Sequence, residues 1–78
     1  GQSITIGRDS RQADIVIKDS RASRKHCEIT RKGRTVIVVD LGSRNGTILN
    51  GGKVTGKVPA KEGDLLVVGR TPFRICFI

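Results

Sequence analysis

Two Asn-Gly pairs, Asn45-Gly46 and Asn50-Gly51, enclose only Thr47-Ile48-Leu49, and this spacing does most to limit what the chain can become. An Asn-Gly pair favours a tight turn with positive φ, so the enclosed residues form a short strand with a reversal at each end. The rest of the chain follows the same pattern. Ser3-Ile4-Thr5-Ile6 alternates and is closed by Gly7, and Ile15-Val16-Ile17 is a short β-branched run beside Asp14. His26 to Thr30 alternates again, with Cys27 and Ile29 on one face. After the Lys32-Gly33 turn, Thr35-Val36-Ile37-Val38-Val39 is the strongest strand. Lys53-Val54-Thr55 and Leu65-Leu66-Val67-Val68 follow, with Glu62-Gly63-Asp64 as the turn, and a last strand runs from Pro72 to Ile78. Eight such strands, punctuated by ten glycines, predict an all-β sandwich or small barrel. The one helical candidate, Arg8 to Ala13, is too short and too polar to count.

Size and charge narrow the function. The 78 residues have room for one domain, taken as residues 1–78, and a domain this small buries only about 60% of its unfolded surface. Fifteen Lys+Arg against seven Asp+Glu give a net charge of +8, which favours an anionic partner: nucleic acid, acidic lipid or phosphorylated protein. No apolar run approaches the roughly 20 residues of a membrane-spanning helix, and no signal peptide is visible, so no membrane partner and an intracellular location are expected. With no methionine anywhere, the chain is expected to be a fragment or a processed product. In the last strand Phe73, Ile75 and Phe77 share one face and leave Cys76 on the other, so Cys27 and Cys76 are expected as free thiols in different environments. One cysteine pair and one histidine make no zinc site, since structural zinc needs about four ligands. No cofactor and no metal are expected.

Three stretches carry the chemistry: Gly7-Arg8, Ser23-Arg24-Lys25-His26, and Asp40 to Thr47 running on to Asn50-Gly51. Arg8 follows a strand-ending glycine and so emerges in a loop, where its planar guanidinium offers paired donors that match phosphate oxygens. Alone it would pass for a solvated arginine. Ser23 has a short hydroxyl able to donate to an anion, with the N–H of Arg24 beside it; its plainer role is a turn serine satisfying its own backbone. The Asn45 carboxamide presents a donor and an acceptor, which can pair with an extended peptide, while the turn itself belongs mainly to Gly46. Ser43 and Arg44 share that loop and add to its polarity. Ser23, His26 and an aspartate could be strung into a hydrolase triad on paper, but no strand-to-helix elbow or oxyanion hole accompanies them, so no enzyme is expected.

Taken in order, these stretches, closed by Gly63-Asp64 and the Val68-Gly69 strand end, resemble the forkhead-associated (FHA) domain. The resemblance runs from Ser3 to the C-terminus. It implies a two-sheet antiparallel β-sandwich whose loops at one end bind phosphothreonine-containing proteins or peptides. It implies that Arg8 grips the phosphate, Ser23 and the next residue, Arg24, contact it, and Asn45 holds the peptide backbone beside it. His26 then braces the serine loop, with Gly7 and Gly46 in support. Arg21 falls where the family often reads the third residue after the phosphothreonine, and there it would favour Asp or Glu; a solvated arginine is the equal alternative. The chain departs from the family in lacking the usual first strand, which leaves a sheet edge exposed or open to edge pairing or strand exchange with a partner or second copy.

Other classes fit less well. A nucleic-acid-binding barrel explains the charge but needs stacking aromatics, and the chain has two Phe, no Tyr and no Trp. No specific nucleic-acid partner is therefore expected. A phosphate-independent interaction or scaffold domain of the same fold is the alternative that remains.

Overall fold

The computed structural model describes residues 2–77, and its regular structure consists of nine short strands in two sheets. In chain order they are β1 (Gln2–Gly7), β2 (Ile15–Val16), β3 (Cys27–Lys32), β4 (Thr35–Asp40), β5 (Thr47–Leu49), β6 (Gly52–Lys53), β7 (Lys57–Ala60), β8 (Leu65–Val68) and β9 (Thr71–Arg74). One sheet has the order β2-β1-β3-β4-β7 and the other β6-β5-β8-β9. Neighbours are antiparallel except β1 and β2, which pair in parallel through Ile6–Ile15 and Gly7–Val16. The expected β-sandwich is what forms.

Register explains the interior. Ile6 lies opposite Cys27, Ile29 opposite Val38, and Val36 opposite Ala60, so one face of the first sheet carries all of these inward. The second sheet answers with Leu49 opposite Leu66, Leu66 opposite Phe73, and Thr47 opposite Val68. Ile6, Val38, Leu66 and Val68 are fully buried between the two layers. Phe73, Ile75 and Phe77 pack against this core as their alternation implied, although the strand itself ends at Arg74. Ile78, the expected end of that strand, lies outside the described residues. Cys27 is buried and Cys76 exposed, and burial pushes the Cys27 thiol up to about 11.

Strand β7 is the element that sequence reasoning missed. Pro59 has no N–H to give to a ladder and argues against a central strand. The structure resolves this by placing β7 at the sheet edge, where Pro59 faces Ile37 on one side only. The second proline, Pro72, sits in the other sheet's edge strand, β9. Between β9 and β1, the open flank of the sandwich is an apolar groove lined by Ile4, Ile15, Ile29 and Phe73.

Strand direction decides where the loops go. β1, β4 and β8 all end at one end of the sandwich, while β3, β5 and β9 start there. The long connections 8–14 and 17–26, the 41–46 loop and the Gly69-Arg70 turn therefore gather at this end.

Candidate functional site

The gathering of loops begins at Gly7, where two chain segments touch backbone to backbone. A Cβ at Gly7 would lie 2.0 Å from the Arg24 carbonyl oxygen, so no larger residue fits without moving the loop. Just past this contact the Arg8 N–H donates to Ser23 O (2.9 Å) and the Asp9 N–H to Arg24 O (3.3 Å), and just before it the His26 N–H donates to Ile6 O (2.9 Å). Arg8 then donates its Nε to Ala22 O at 3.0 Å. That bond orients the guanidinium and leaves its two terminal nitrogens exposed beside the serine loop.

His26 holds the serine loop from below. It is fully buried; its Nδ1 accepts from the Ser23 N–H at 3.0 Å, and its Nε2 lies 2.8 Å from Gly46 O. A backbone N–H can only donate and a carbonyl can only accept, so these partners select the neutral tautomer with hydrogen on Nε2. One imidazole thus joins the loop before β3 to the loop before β5. Ser23 makes a second tie, its Oγ accepting the Arg44 N–H at 2.9 Å. The serine proton is not used by that bond and remains free to donate outward.

Two aspartates do comparable work. Asp40 ends β4 facing inward, and its carboxylate accepts from the Ser43 N–H, the Ser43 hydroxyl and the Thr47 hydroxyl. Thr47 belongs to the other sheet and is fully buried, so this bond links the layers directly beneath the site. Burial works to raise the Asp40 pKa, but the hydroxyls of Ser43 and Thr47 and the Ser43 N–H outweigh it and hold the group below the ordinary carboxylate range. Asp19 repeats the device. It accepts from the Thr71 hydroxyl (2.7 Å), the Arg70 N–H (2.7 Å) and the Arg21 N–H (2.9 Å), and these three donors hold its pKa at about 2. A third carboxylate, Asp9, accepts from the Arg11 N–H and the Gln12 amide, which also lower it.

The residues singled out in the sequence are brought to one place. Arg8, Arg21, Arg24, Arg44 and Asn45 are exposed around the rim, Ser23 is half-buried among them, and His26, Gly7 and Gly46 are buried beneath. Asn45 donates its Nδ2 to Arg21 O at 2.7 Å, which fixes the carboxamide and leaves its oxygen outward. Ser43 stands apart: its hydroxyl proton is spent on Asp40, so it braces the loop from inside. Asn50 lies at the opposite end of β5 with φ 49, and its side chain accepts the Leu65 N–H. Asp19 is what the sequence did not disclose; Asp40 and Thr47 bounded the third stretch, but the bond between them across the layers was not read from it. Only Asp40 had a local signal, a serine three residues on, the spacing of a capped turn. Among the described residues no group of His, Cys, Asp and Glu is placed to hold a metal ion, and no helix is long and apolar enough to cross a membrane.

Chemically, the arrangement is a set of outward donors on a rigid floor: two free guanidinium nitrogens, a serine hydroxyl and neighbouring arginines. Of the nearby carboxylates, Asp40 faces inward, Asp19 is tied to the Gly69-Arg70 turn, and Asp9 is bonded within its own loop beside Arg8 and Arg24. The set can hold a dianion and the polar backbone next to it, and it offers no base or nucleophile activated for catalysis.

Comparison with known proteins agrees with this geometry. The sequence model of the FHA domain matches residues 4–69. FHA domain-containing protein FhaB of Mycobacterium tuberculosis is 35% identical over 95% of this chain. The chain spans less than half the length of such curated relatives: 47% of FhaB, and 17% of the Arabidopsis thaliana FHA domain-containing protein At4g14490, which is 38% identical over 82% of this chain. Among solved structures, the FHA domain of CT664 from Chlamydia trachomatis superposes with a TM-score of 0.90, at 33% identity, over 95% of this chain and 74% of its own. The N-terminal FHA domain of Saccharomyces cerevisiae Rad53p, solved with a phosphothreonine peptide, gives a TM-score of 0.75 at 33% identity, covering 87% and 56%.

Proposed function

This chain belongs to the FHA domain family, a family of binding modules, and on that premise we propose that residues 1–78 act as one unit that binds phosphothreonine-containing segments of intracellular partner proteins. The observation that carries the reading is the Arg8–Ser23 pair: an exposed guanidinium held through Nε, and a half-buried serine whose Oγ accepts a hydrogen bond and so keeps its own proton to donate. Arg8 and Ser23 take the phosphate, with Arg24 and Arg44 adding positive charge, and Asn45 takes the peptide backbone beside it. Arg21 sits next to Asn45, where an acidic peptide residue would meet it. His26, Gly7, Gly46 and Ser43 keep these groups in place.

The magnitude fits a reversible reader. Charge-assisted hydrogen bonds contribute about 1.5–3 kcal/mol each. Three or four of them, less ordering and desolvation, lead to roughly −8 kcal/mol, a micromolar Kd. A threonine methyl taken up in a small apolar seat would add about 1–3 kcal/mol of preference over phosphoserine.

Calorimetric titration with a degenerate phosphothreonine peptide pool, beside the same pool unphosphorylated, tests the reading. Binding of the phosphorylated pool alone is the expected result. Equal binding of both would reduce the site to general charge attraction, and binding of neither by folded protein would rule it out.

A further inference from the structure

We propose that Asn45-Gly46 is a self-modifying site: the Gly46 nitrogen closes on the Asn45 side chain, the pair deamidates, and the product switches phosphopeptide binding off. The site itself stands on the geometry of the two residues; the switch rests on the phosphothreonine reading above.

A residue with no side chain lets its nitrogen approach the preceding carboxamide most closely, and the chain carries that pair twice, at 45–46 and 50–51. The step needs water and nothing else. The Gly46 nitrogen gives up its proton and bonds to the Asn45 Cγ. The Cγ–Nδ2 bond breaks, and ammonia leaves with that proton. Water then opens the cyclic imide at either carbonyl, leaving aspartate or isoaspartate.

The two pairs sit in opposite settings. Asn45 is exposed and is held by Nδ2 alone, which donates to Arg21 O at 2.7 Å. Over Gly46 lies the Lys53 side chain: its Cε would stand 3.1 Å from a Cβ built at that glycine. The ammonium, one bond further, is therefore a few ångströms from the nitrogen that must lose its proton, and Arg44 precedes the pair in sequence. Asp40, the carboxylate at the start of this loop, is taken up by Ser43 and Thr47. Positive charge favours both the nitrogen anion and the oxyanion that follows it. Asn50, by contrast, has φ 49, and its Oδ1 accepts the Leu65 N–H at 2.9 Å. Its amide lies against Asp64, whose pKa is held down by the Lys61 N–H first and by Asn50 second. A carboxamide held at both ends does not turn toward its own glycine, and the Asp64 charge opposes an anion there.

At position 45 the product undoes what the amide did. A carboxylate has no proton to give to Arg21 O, so two acceptors face each other across that contact. It also sets a negative charge beside the place where the phosphate binds. Isoaspartate lengthens the main chain as well, in the loop that His26 joins to Ser23.

Protein held at mildly alkaline pH, folded or in urea, is digested and mapped by mass spectrometry, with isoaspartate assayed in the same fragments. In the folded protein Asn45 should convert at least about fivefold faster than Asn50, the factor that one unit charge a few ångströms away gives even in water. In urea, where both are plain Asn-Gly pairs, the two rates should come together. Titration with the phosphothreonine peptide pool should lose binding capacity in step with the fraction converted at position 45. Asn45→Asp should bind the pool at least about tenfold more weakly than fresh protein. Conversion of Asn50 as fast as Asn45 in the folded protein, conversion of neither, or the same bias in urea would overturn the site. Conversion at Asn45 with undiminished binding would overturn the switch. Failure of fresh protein to bind the pool would overturn the phosphothreonine reading, and the fragment map would still decide the modification.

Discussion

At the end of the sandwich away from the candidate site, β3 turns into β4 through Gly33 (φ 64) and β5 into β6 through Asn50-Gly51 (φ 49 and 83). Positive φ at a few positions does most of the work there, with one longer tie, between Asn50 and Leu65. At the site end, loop 8–14 closes on its own Asp9, which accepts from the Arg11 N–H and the Gln12 amide. Loops 17–26 and 41–46 are instead held by side chains reaching across the fold: His26 to Gly46, Asp40 to Thr47, Asp19 to Thr71. The same two sheets thus carry turns that are cheap to specify locally and loops that are specified only by the assembled tertiary structure. Binding residues sit on the second kind because a dianion needs donors converging from several segments.

The contrast can be broken at graded strengths. Removing a rim donor should have the largest effect and should be confined to function. Arg8→Ala is expected to weaken phosphopeptide binding at least about 100-fold, the loss of two charge-assisted bonds, with an unchanged melting curve. A melting curve that collapses with it would mean the rim and the fold are not separable.

Removing a floor residue should damage both properties. His26→Ala leaves the Ser23 N–H and Gly46 C=O without their partner in a buried position, which costs roughly 2–5 kcal/mol in denaturant unfolding. Peptide affinity should fall as well, because Ser23 loses its support. If stability changes and affinity does not, the floor is not what positions Ser23.

Acid should act at both ends but more at the site, where three carboxylates are lowered against Asp64 at the distal turns. The pKa of Asp19 is about 2 in the folded protein against the usual 3.8, and Asp40 and Asp9 are lowered too. A depressed carboxylate adds stability that is present in full above its unfolded pKa and lost as pH falls through the folded value. Stability should therefore decline as pH drops from about 4 to about 2. Asp19→Asn should flatten that decline in acid unfolding monitored by circular dichroism; an unaltered curve would mean that Asp19 does not hold the two sheets' loops together.

The smallest effect belongs to the distal turns. Gly33→Ala meets no steric obstacle but puts a side chain at φ 64, which costs about 1–2 kcal/mol. Peptide affinity should be untouched. A measurable loss in titration would show that the two ends communicate.

Legibility in the sequence follows the same division. Runs such as Thr35 to Val39 and Leu65 to Val68 declare themselves by β-branching and alternation, and the glycine-bearing turns mark where they stop. Arg8, Ser23 and Asn45 are singled out by the order of their three stretches and the resemblance it carries, since by residue type alone Arg8 passes for a solvated arginine and Ser23 for a turn serine. Strand β7 was not legible, since Pro59 reads against a strand until its edge position is known. The carboxylate ties were hidden for another reason. Asp19 and Thr71 are 52 residues apart, and an aspartate that will be turned inward looks the same in sequence as one left in solvent. Phe77 was placed with the core and does pack against it, yet Arg31 lies 4.6 Å and Arg34 5.5 Å from its ring centre, a cation–π cover that alternation alone does not show.

The backbone contact at Gly7 has a kinetic meaning. With the Arg8 N–H bonded to Ser23 O and the Asp9 N–H to Arg24 O beside that contact, the donors stand in position before any ligand arrives. Capture then requires no slow rearrangement, so encounter should set the association rate, accelerated by the +8 charge and slowed by added salt. Differences among phosphopeptides should emerge almost wholly in how long each one stays.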